Sequence, residues 1–282
     1  MRLATLRTAD GTAAARLDGA PDTPGATYVL IEGCADVSEL LADPEWRDIA
    51  AAADGVRVPA GEAELATLVP APGKVICAGL NYATHIREMG HDLPEHPTLF
   101  AKYADSLTGP YDDIVAPAED PMLDWECELG VVIGADAYKV AEEDAAAYIA
   151  GYTVVDDVSM RGYQRRTGQW LQGKIWQSAT PVGPVLATPD DFDPTDAVIT
   201  TTVNGEVRQQ ANTGDLVFTP ARLVAYLSTM ITLRAGDLVL TGTPGGVGVA
   251  RDPQVFLRAG DVVEVAITGL GRLTNHIVAP QA

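Results

Sequence analysis

From Lys74 to its C-terminus this chain is written in short apolar segments that stop at Gly, Pro or Asp. KVICAGL, TLFAKY, DIVAP, WECELGVVIG, YTVVDDVS, PVGPVLAT and LVLTG are all of strand length. VITTTVNGEVRQQ sets Asn204-Gly205 between alternating residues, a strong hairpin signal, and DVVEVAITGLGRLTNHIV reads as a second hairpin. Only EEDAAAYIA and PARLVAYLSTMI read clearly as helices, the second with Leu223, Leu227 and Met230 at helical spacing. Regular strand–helix alternation is missing, which argues against a doubly wound parallel sheet. The predicted class is α+β and strand-rich.

The first 60 or so residues read as a small, separate α/β unit, and the domain boundary is set at 70/71, giving 1–70 and 71–282. MRLATLRTADGTAAARLDG reads as two strands around an Asp10-Gly11 turn. YVLIEG is a further strand. Asp36 is placed to cap the helix VSELLAD, and Pro44 to open a second, EWRDIAAAA.

A net charge of −20 repels phosphate backbones and anionic membrane faces, so neither nucleic acid nor membrane is an expected partner. A small anionic substrate would need a local cation or a metal, and the chain has only four lysines: Lys74, Lys102, Lys139 and Lys174. Cys34, Cys77 and Cys127 show no paired spacing, so no disulfide framework is expected. MRLATLRTAD lacks the apolar core of a signal peptide, and no apolar run nears the ~18 residues of a membrane span. The expected setting is cytoplasmic.

Several residues carry candidate chemistry. On a strand, Glu126 and Glu128 of WECEL would point to one face and present two carboxylates side by side. Such a pair is either joined by a cation or simply solvated. Asp157 follows an apolar run, where it can complete an oxygen site for Mg²⁺ or Mn²⁺; taken in isolation, an Asx turn or a cap on the next helix is the commoner role. His85 and Glu88 are i, i+3 neighbours in NYATHIREMG, either a general-base dyad or a surface ion pair. Lys174 beside Gly173 could offer a point charge to a carboxylate. The Gly-rich LTGTPGGVG lacks the P-loop ending, so nucleotide binding is not indicated; Thr243 within it could donate a hydroxyl to a ligand.

Taken together, KVICAGLNYATHIREMG, PTLFAKYADSLTGP, WECELGVVIG, GYTVVDDVSMRGYQ, QGK, TPVGP and GDLVLTGTPGGVG resemble the catalytic domain of the fumarylacetoacetate hydrolase superfamily, most of all its acylpyruvate hydrolases and oxaloacetate decarboxylases. The resemblance spans Lys74 to about His276. It implies a mixed β-sandwich roll, a homodimer, and a Mg²⁺ or Mn²⁺ ion on Glu126, Glu128 and Asp157. It places the base dyad on His85 and Glu88, carried by a lid over about 81–93, and puts Lys174, Gln164 and Thr243 at the 2-oxo acid end of a small substrate. Arg161 and Tyr82 fall in the same motifs and are assigned with the substrate contacts. The chain departs from the family pattern at Thr84, at Gly162 and at Ile175-Trp176-Gln177, which spares the ligand positions.

The activity the resemblance implies is hydrolytic cleavage of a carbon–carbon bond in an acylpyruvate, with His85 activating water and the metal stabilising the pyruvate enolate. Decarboxylation of a 2-oxo acid such as oxaloacetate, isomerisation or hydration of a dienoic 2-oxo acid, and a ligand-binding scaffold without turnover are the alternatives.

Overall fold

The computed structural model describes all residues except 21, 22, 24, 89, 281 and 282. Met89, within the expected lid, therefore lies outside the described residues.

An eleven-stranded mixed sheet organises the molecule. Ten strands run in the order Arg57–Pro59, Thr27–Leu30, Gly11–Asp18, Arg2–Thr8, Thr180–Ala187, Ile149–Asp156, Cys127–Ile133, Leu238–Leu240, Val75–Gly79 and Thr98–Lys102, with Leu107–Thr108 added beside Thr180–Ala187. A second sheet of five strands runs Glu206–Asn212, Val198–Val203, Val262–Ile267, Gly271–Val278 and Ile114–Val115. The predicted hairpin forms as read, with Asn204 and Gly205 at φ 52° and 78° in the left-handed turn that two-residue hairpins favour.

The central strand Cys127–Ile133 is buried on both faces, which is why it reads as a continuous apolar run. Cys127, Leu129, Val131 and Ile133 pack toward the second sheet, against Ile199, Val263 and Val265. Val132 packs in the opposite layer, with Val155, Val182, Leu186 and Leu240. The helix Pro220–Met230 is capped by the Thr219 hydroxyl and buries Leu223, Val224 and Leu227. Met230, expected on that apolar stripe, is exposed, because the helix ends there and leaves the core.

The strands of segment 1–70 extend the main sheet. Leu3 pairs with Leu186, and Val37, Leu40, Leu41 and Trp46 share one apolar cluster with Val132 and Val182. The opposite face of the N-terminal strands packs Ala4, Leu6, Leu17 and Tyr28 on Leu65 and, from the larger sheet, Val185. Asp36 caps its helix as expected, accepting from Glu39 N–H at 3.0 Å. Pro44 does not open the next helix, which begins at Trp46. EEDAAAYIA is a short 3₁₀ turn, Ala145–Tyr148, followed by the strand Ile149–Asp156. Pairing of Ile149 with Ile133 outweighs the helix propensity of its alanines. Among the described residues, no helix is long and apolar enough to cross a membrane.

Candidate active site

The site begins where two central strands end together. Cys127 pairs with Asp156 and Glu128 with Val155, and one residue further the Asp157 N–H donates to the Glu126 carbonyl at 2.9 Å. Strand pleat puts Glu126 and Glu128 on one face, and Asp157 turns onto the same face. Carboxylate oxygens of the three lie within 4.8 Å of one another, and all three residues are buried.

Buried cations surround them. Lys174 Nζ lies 2.7 Å from Glu126 and 2.6 Å from Asp157. Lys102 Nζ is 2.7 Å from the other Asp157 oxygen, with both side chains fully buried. Arg161 contacts Glu126 at 2.6 Å and Asp124 at 2.8 Å, and donates to Gln164 Oε1 at 3.0 Å. The electrostatics follow from this packing. Burial alone would raise the Asp157 carboxyl, but the Lys102 and Lys174 ammonium groups outweigh it and hold it at about 2. Burial likewise opposes the charge on Lys174, and the Asp157 and Glu126 carboxylates more than restore it. Glu128 is pushed well above the usual carboxylate range, first by burial and then by the charges of Asp157 and Glu126. Asp156, whose Oδ1 accepts from the Glu126 N–H at 2.8 Å, is raised by burial to about 7.

These residues fit a divalent cation. Five carboxyls, those of Asp124, Glu126, Glu128, Asp156 and Asp157, share three cations, Lys102, Arg161 and Lys174. Burial first, and then that excess of negative charge, drives Glu128 toward its neutral form, and a positive ion would oppose both. Among the described residues only its Oε2 accepts a hydrogen bond, from the Gly242 N–H at 2.8 Å. An all-oxygen donor set suits Mg²⁺ or Mn²⁺.

Above this floor lies a cavity of about 530 Å³. Glu126, Glu128, Lys174, Gln164, His85 and Thr243 line it. Phe100 and Trp170 form an aromatic wall, edge to face at 5.5 Å between centroids. Gly79 is required there, since a Cβ would come within 2.4 Å of the Trp170 ring. Leu80, at φ 56°, bends the chain out of the strand toward the short helix Ala83–Glu88. That bend is held by Asn81, whose side chain bonds the Phe218 N–H and carbonyl and the Thr241 carbonyl.

His85 is half-buried on this helix. Gly245 lets it approach, because a Cβ there would meet His85 Nδ1 at 2.9 Å and Glu88 Oε2 at 3.5 Å. Burial lowers the imidazole pKa, partly opposed by the charges of Glu88 and then Glu126. The two side chains converge without a hydrogen bond between them among the described contacts, so Glu88, which is exposed, acts on His85 through its charge.

Most of the expected site residues therefore meet at one cavity: His85, Glu126, Glu128, Arg161, Gln164, Lys174 and Thr243 line it, and Asp157 lies buried beside the two glutamates. Tyr82 does not. It is buried in the apolar core, with an unpartnered hydroxyl and no place on the cavity wall, because the bend at Leu80 and Asn81 turns it inward. Arg161 pins carboxylates as much as it faces the cavity. Of the departures, Thr84 binds Asp215 through its N–H and hydroxyl, and Gly162 leaves room for Asp120, whose carboxylate would sit 2.8 Å from a Cβ. Sequence reasoning missed Lys102, Asp124 and the Phe100–Trp170 wall. The scarcity of lysine that singled out Lys174 applies equally to Lys102; nothing comparable marks Asp124.

Residues 74–278 match the profile of the Fumarylacetoacetate (FAA) hydrolase C-terminal family. The mitochondrial oxaloacetate tautomerase FAHD2A of Homo sapiens is 45% identical over 224 residues, covering 78% of this chain and 71% of that protein. Its Rattus norvegicus counterpart, Fahd2a, is 44% identical over 223 residues, with the same coverage of 78% and 71%. Among solved structures, the 5-carboxymethyl-2-hydroxymuconate delta-isomerase from Mycobacterium smegmatis aligns with a TM-score of 0.83 at 35% identity, over 99% of this chain and 100% of that one. The fumarylacetoacetate hydrolase from psychrophilic Exiguobacterium antarcticum aligns with a TM-score of 0.88 at 31% identity, over 99% and 100%. The carboxylate floor, Lys174, His85 and Thr243 all fall inside the matched span, and the chain belongs to the fumarylacetoacetate hydrolase superfamily of enzymes.

Proposed function

We propose that this enzyme works through the enolate of a short 2-oxo acid, and that its principal reaction is the keto–enol tautomerisation of oxaloacetate. The observation that carries the reading is the placement of a half-buried imidazole, its pKa lowered by burial, over the same cavity as the three carboxylates and Lys174. The relatives named oxaloacetate tautomerases support it.

In this scheme Glu126, Glu128 and Asp157 hold a Mg²⁺ or Mn²⁺ ion, which when bound would polarise the 2-oxo group as a Lewis acid. Lys174, held charged by its two carboxylates, places a fixed positive charge at the 2-oxo carboxylate end. Gln164 and Thr243 orient that end. His85, neutral near pH 7, takes a proton from the carbon beside the carbonyl. The C–H electron pair becomes the new C–C π bond and the carbonyl pair moves onto oxygen, which then takes up a proton as His85 releases its own.

Hydrolysis of an acylpyruvate is the second reading. It is favoured by the apolar wall of Phe100, Trp170, Val247 and Val249, which a four-carbon diacid does not need but an acyl group would use. One experiment separates the two. Purified protein with Mg²⁺ or Mn²⁺ is mixed with enol-oxaloacetate and, separately, with simple acylpyruvates, following enol absorbance, pyruvate and CO₂. Faster loss of enol without pyruvate supports tautomerisation. Pyruvate from acylpyruvates with no change in enol decay makes the enzyme a hydrolase, and CO₂ with pyruvate from oxaloacetate makes it a decarboxylase. We also assign a homodimer, consistent with the exposed Tyr103, Tyr111 and Val115, and light scattering at micromolar concentration tests it.

A further inference from the structure

Gln209 lies in the predicted hairpin but outside every motif assigned to the site. It sits in the strand Glu206–Asn212, behind the Asn204-Gly205 turn, and is 1% exposed. Its amide uses all four hydrogen-bonding positions. Oε1 accepts from the Cys127 N–H at 3.1 Å and from the Thr201 hydroxyl at 2.7 Å. Nε2 donates to Thr243 Oγ1 at 2.8 Å and to the Pro244 carbonyl at 2.9 Å.

The direction of this amide is forced. The Cys127 N–H can only donate and the Pro244 carbonyl can only accept, so a flipped amide would set donor against donor and acceptor against acceptor. Thr243 Oγ1 therefore receives a hydrogen bond, and its own hydrogen must point elsewhere. Thr243 lines the cavity, and among the described residues nothing accepts that hydrogen.

We propose that Gln209 is a positioning residue that commits the Thr243 hydroxyl to donating into the cavity, so that this wall selects an anionic oxygen such as a substrate carboxylate. The inference rests on the 2-oxo acid reading and deepens it. The surrounding backbone keeps the pair in place. Arg251 donates to the Arg208 carbonyl at 2.6 Å and to the Gly246 carbonyl at 3.2 Å, clamping the hairpin to the Gly-rich turn. Gly246, at φ +102°, passes so close that a Cβ would lie 2.3 Å from the Arg208 carbonyl oxygen. Because Cys127 lies between Glu126 and Glu128, the same amide also sets the carboxylate strand at a fixed distance from Thr243.

The test is calorimetric binding of oxalate, an unreactive planar dianion, to the Mg²⁺-loaded protein. Thr243→Val should weaken binding about tenfold or more, the worth of one hydrogen bond to a charged group, while Thr243→Ser keeps it. Gln209→Glu supplies an acceptor where the donor was, so the hydroxyl turns inward and a similar loss follows. The double variant should be no weaker than Thr243→Val alone, and in turnover KM should rise far more than kcat falls. Gln209→Leu, which removes the donor without adding an acceptor, should give a smaller loss and serves if the glutamate variant does not fold. Wild-type affinity in Thr243→Val or Gln209→Leu, additive losses in the double variant, or no oxalate binding by the wild type would overturn the proposal. Oxaloacetate turnover on the same preparations keeps the two readings apart. Coupled oxalate binding without turnover sinks only the proposed reaction; turnover with additive losses sinks only the role of Gln209.

Discussion

The two halves of this site are built differently. The carboxylate floor stands on the ends of paired central strands, with Glu126, Glu128 and Asp157 buried and tied to Lys102, Lys174 and Arg161. His85, the proposed base, stands on the six-residue helix Ala83–Glu88, fixed at its start by Asn81 and Thr84 and exposed from Arg87 to Leu93 among the described residues. The floor concentrates charge in low dielectric, where position and protonation are set by folding. The helix carries one imidazole whose protonation is tuned only partly by burial. A site divided in this way sets the electrostatics of its floor by folding and leaves the proposed proton-transfer element on an exposed, lightly held segment.

The largest effect should come from breaking the floor. Glu126→Ala removes a proposed metal ligand and leaves Lys174 and Arg161 each short of a buried partner. Metal binding measured by calorimetry should vanish, and activity should fall to background. Retained metal affinity would show that the floor is not the metal site.

Breaking the other half should cost rate without touching the floor. His85→Ala should lower kcat by about 10²–10⁴-fold, the usual worth of general base catalysis, with metal affinity unchanged. Wild-type kcat would remove His85 from the chemistry.

Stability should separate the halves as well. Lys102→Met leaves the fully buried Asp157 with Lys174 alone, and loss of one partner of a buried pair costs about 3–5 kcal/mol. Urea unfolding would read this directly. A change below 1 kcal/mol would mean that Lys174 alone satisfies Asp157.

The smallest effect belongs to Glu88. With neutral His85 as the proposed base, activity should fall on the acid side, as pH drops through the imidazole pKa. Burial already lowers that pKa, and the Glu88 charge is the larger of the two influences that raise it. Glu88→Gln should therefore move the acid limb of kcat/KM to still lower pH, with stability within about 0.5 kcal/mol of wild type, as for other exposed substitutions. A limb that moves upward would reverse the assigned coupling.

Legibility in the sequence followed the same division. Period-two spacing put Glu126 and Glu128 on one face, and i, i+3 spacing put His85 beside Glu88, because local geometry alone relates such neighbours. Asn204-Gly205 announced its turn because few residues tolerate φ > 0 at both positions. EEDAAAYIA misled because its partner strand, not its own propensity, decides its state. Tyr82 misled because a single bend at Leu80 reverses which way the following residues face.

The sequence by itself determined a strand-rich chain, its hairpins, most of its polar site residues and the family to which it belongs. Each of these depends on contacts a few residues apart or on a pattern written contiguously. Only the tertiary structure decided that 1–70 continues the main sheet, that Lys102 and Asp124 complete the buried charge network, and that Gln209 faces Thr243 across 34 positions. Those pairings join residues from distant strands. Their energies come from burial and from mutual satisfaction of polar groups, and these exist only once the chain has closed around them.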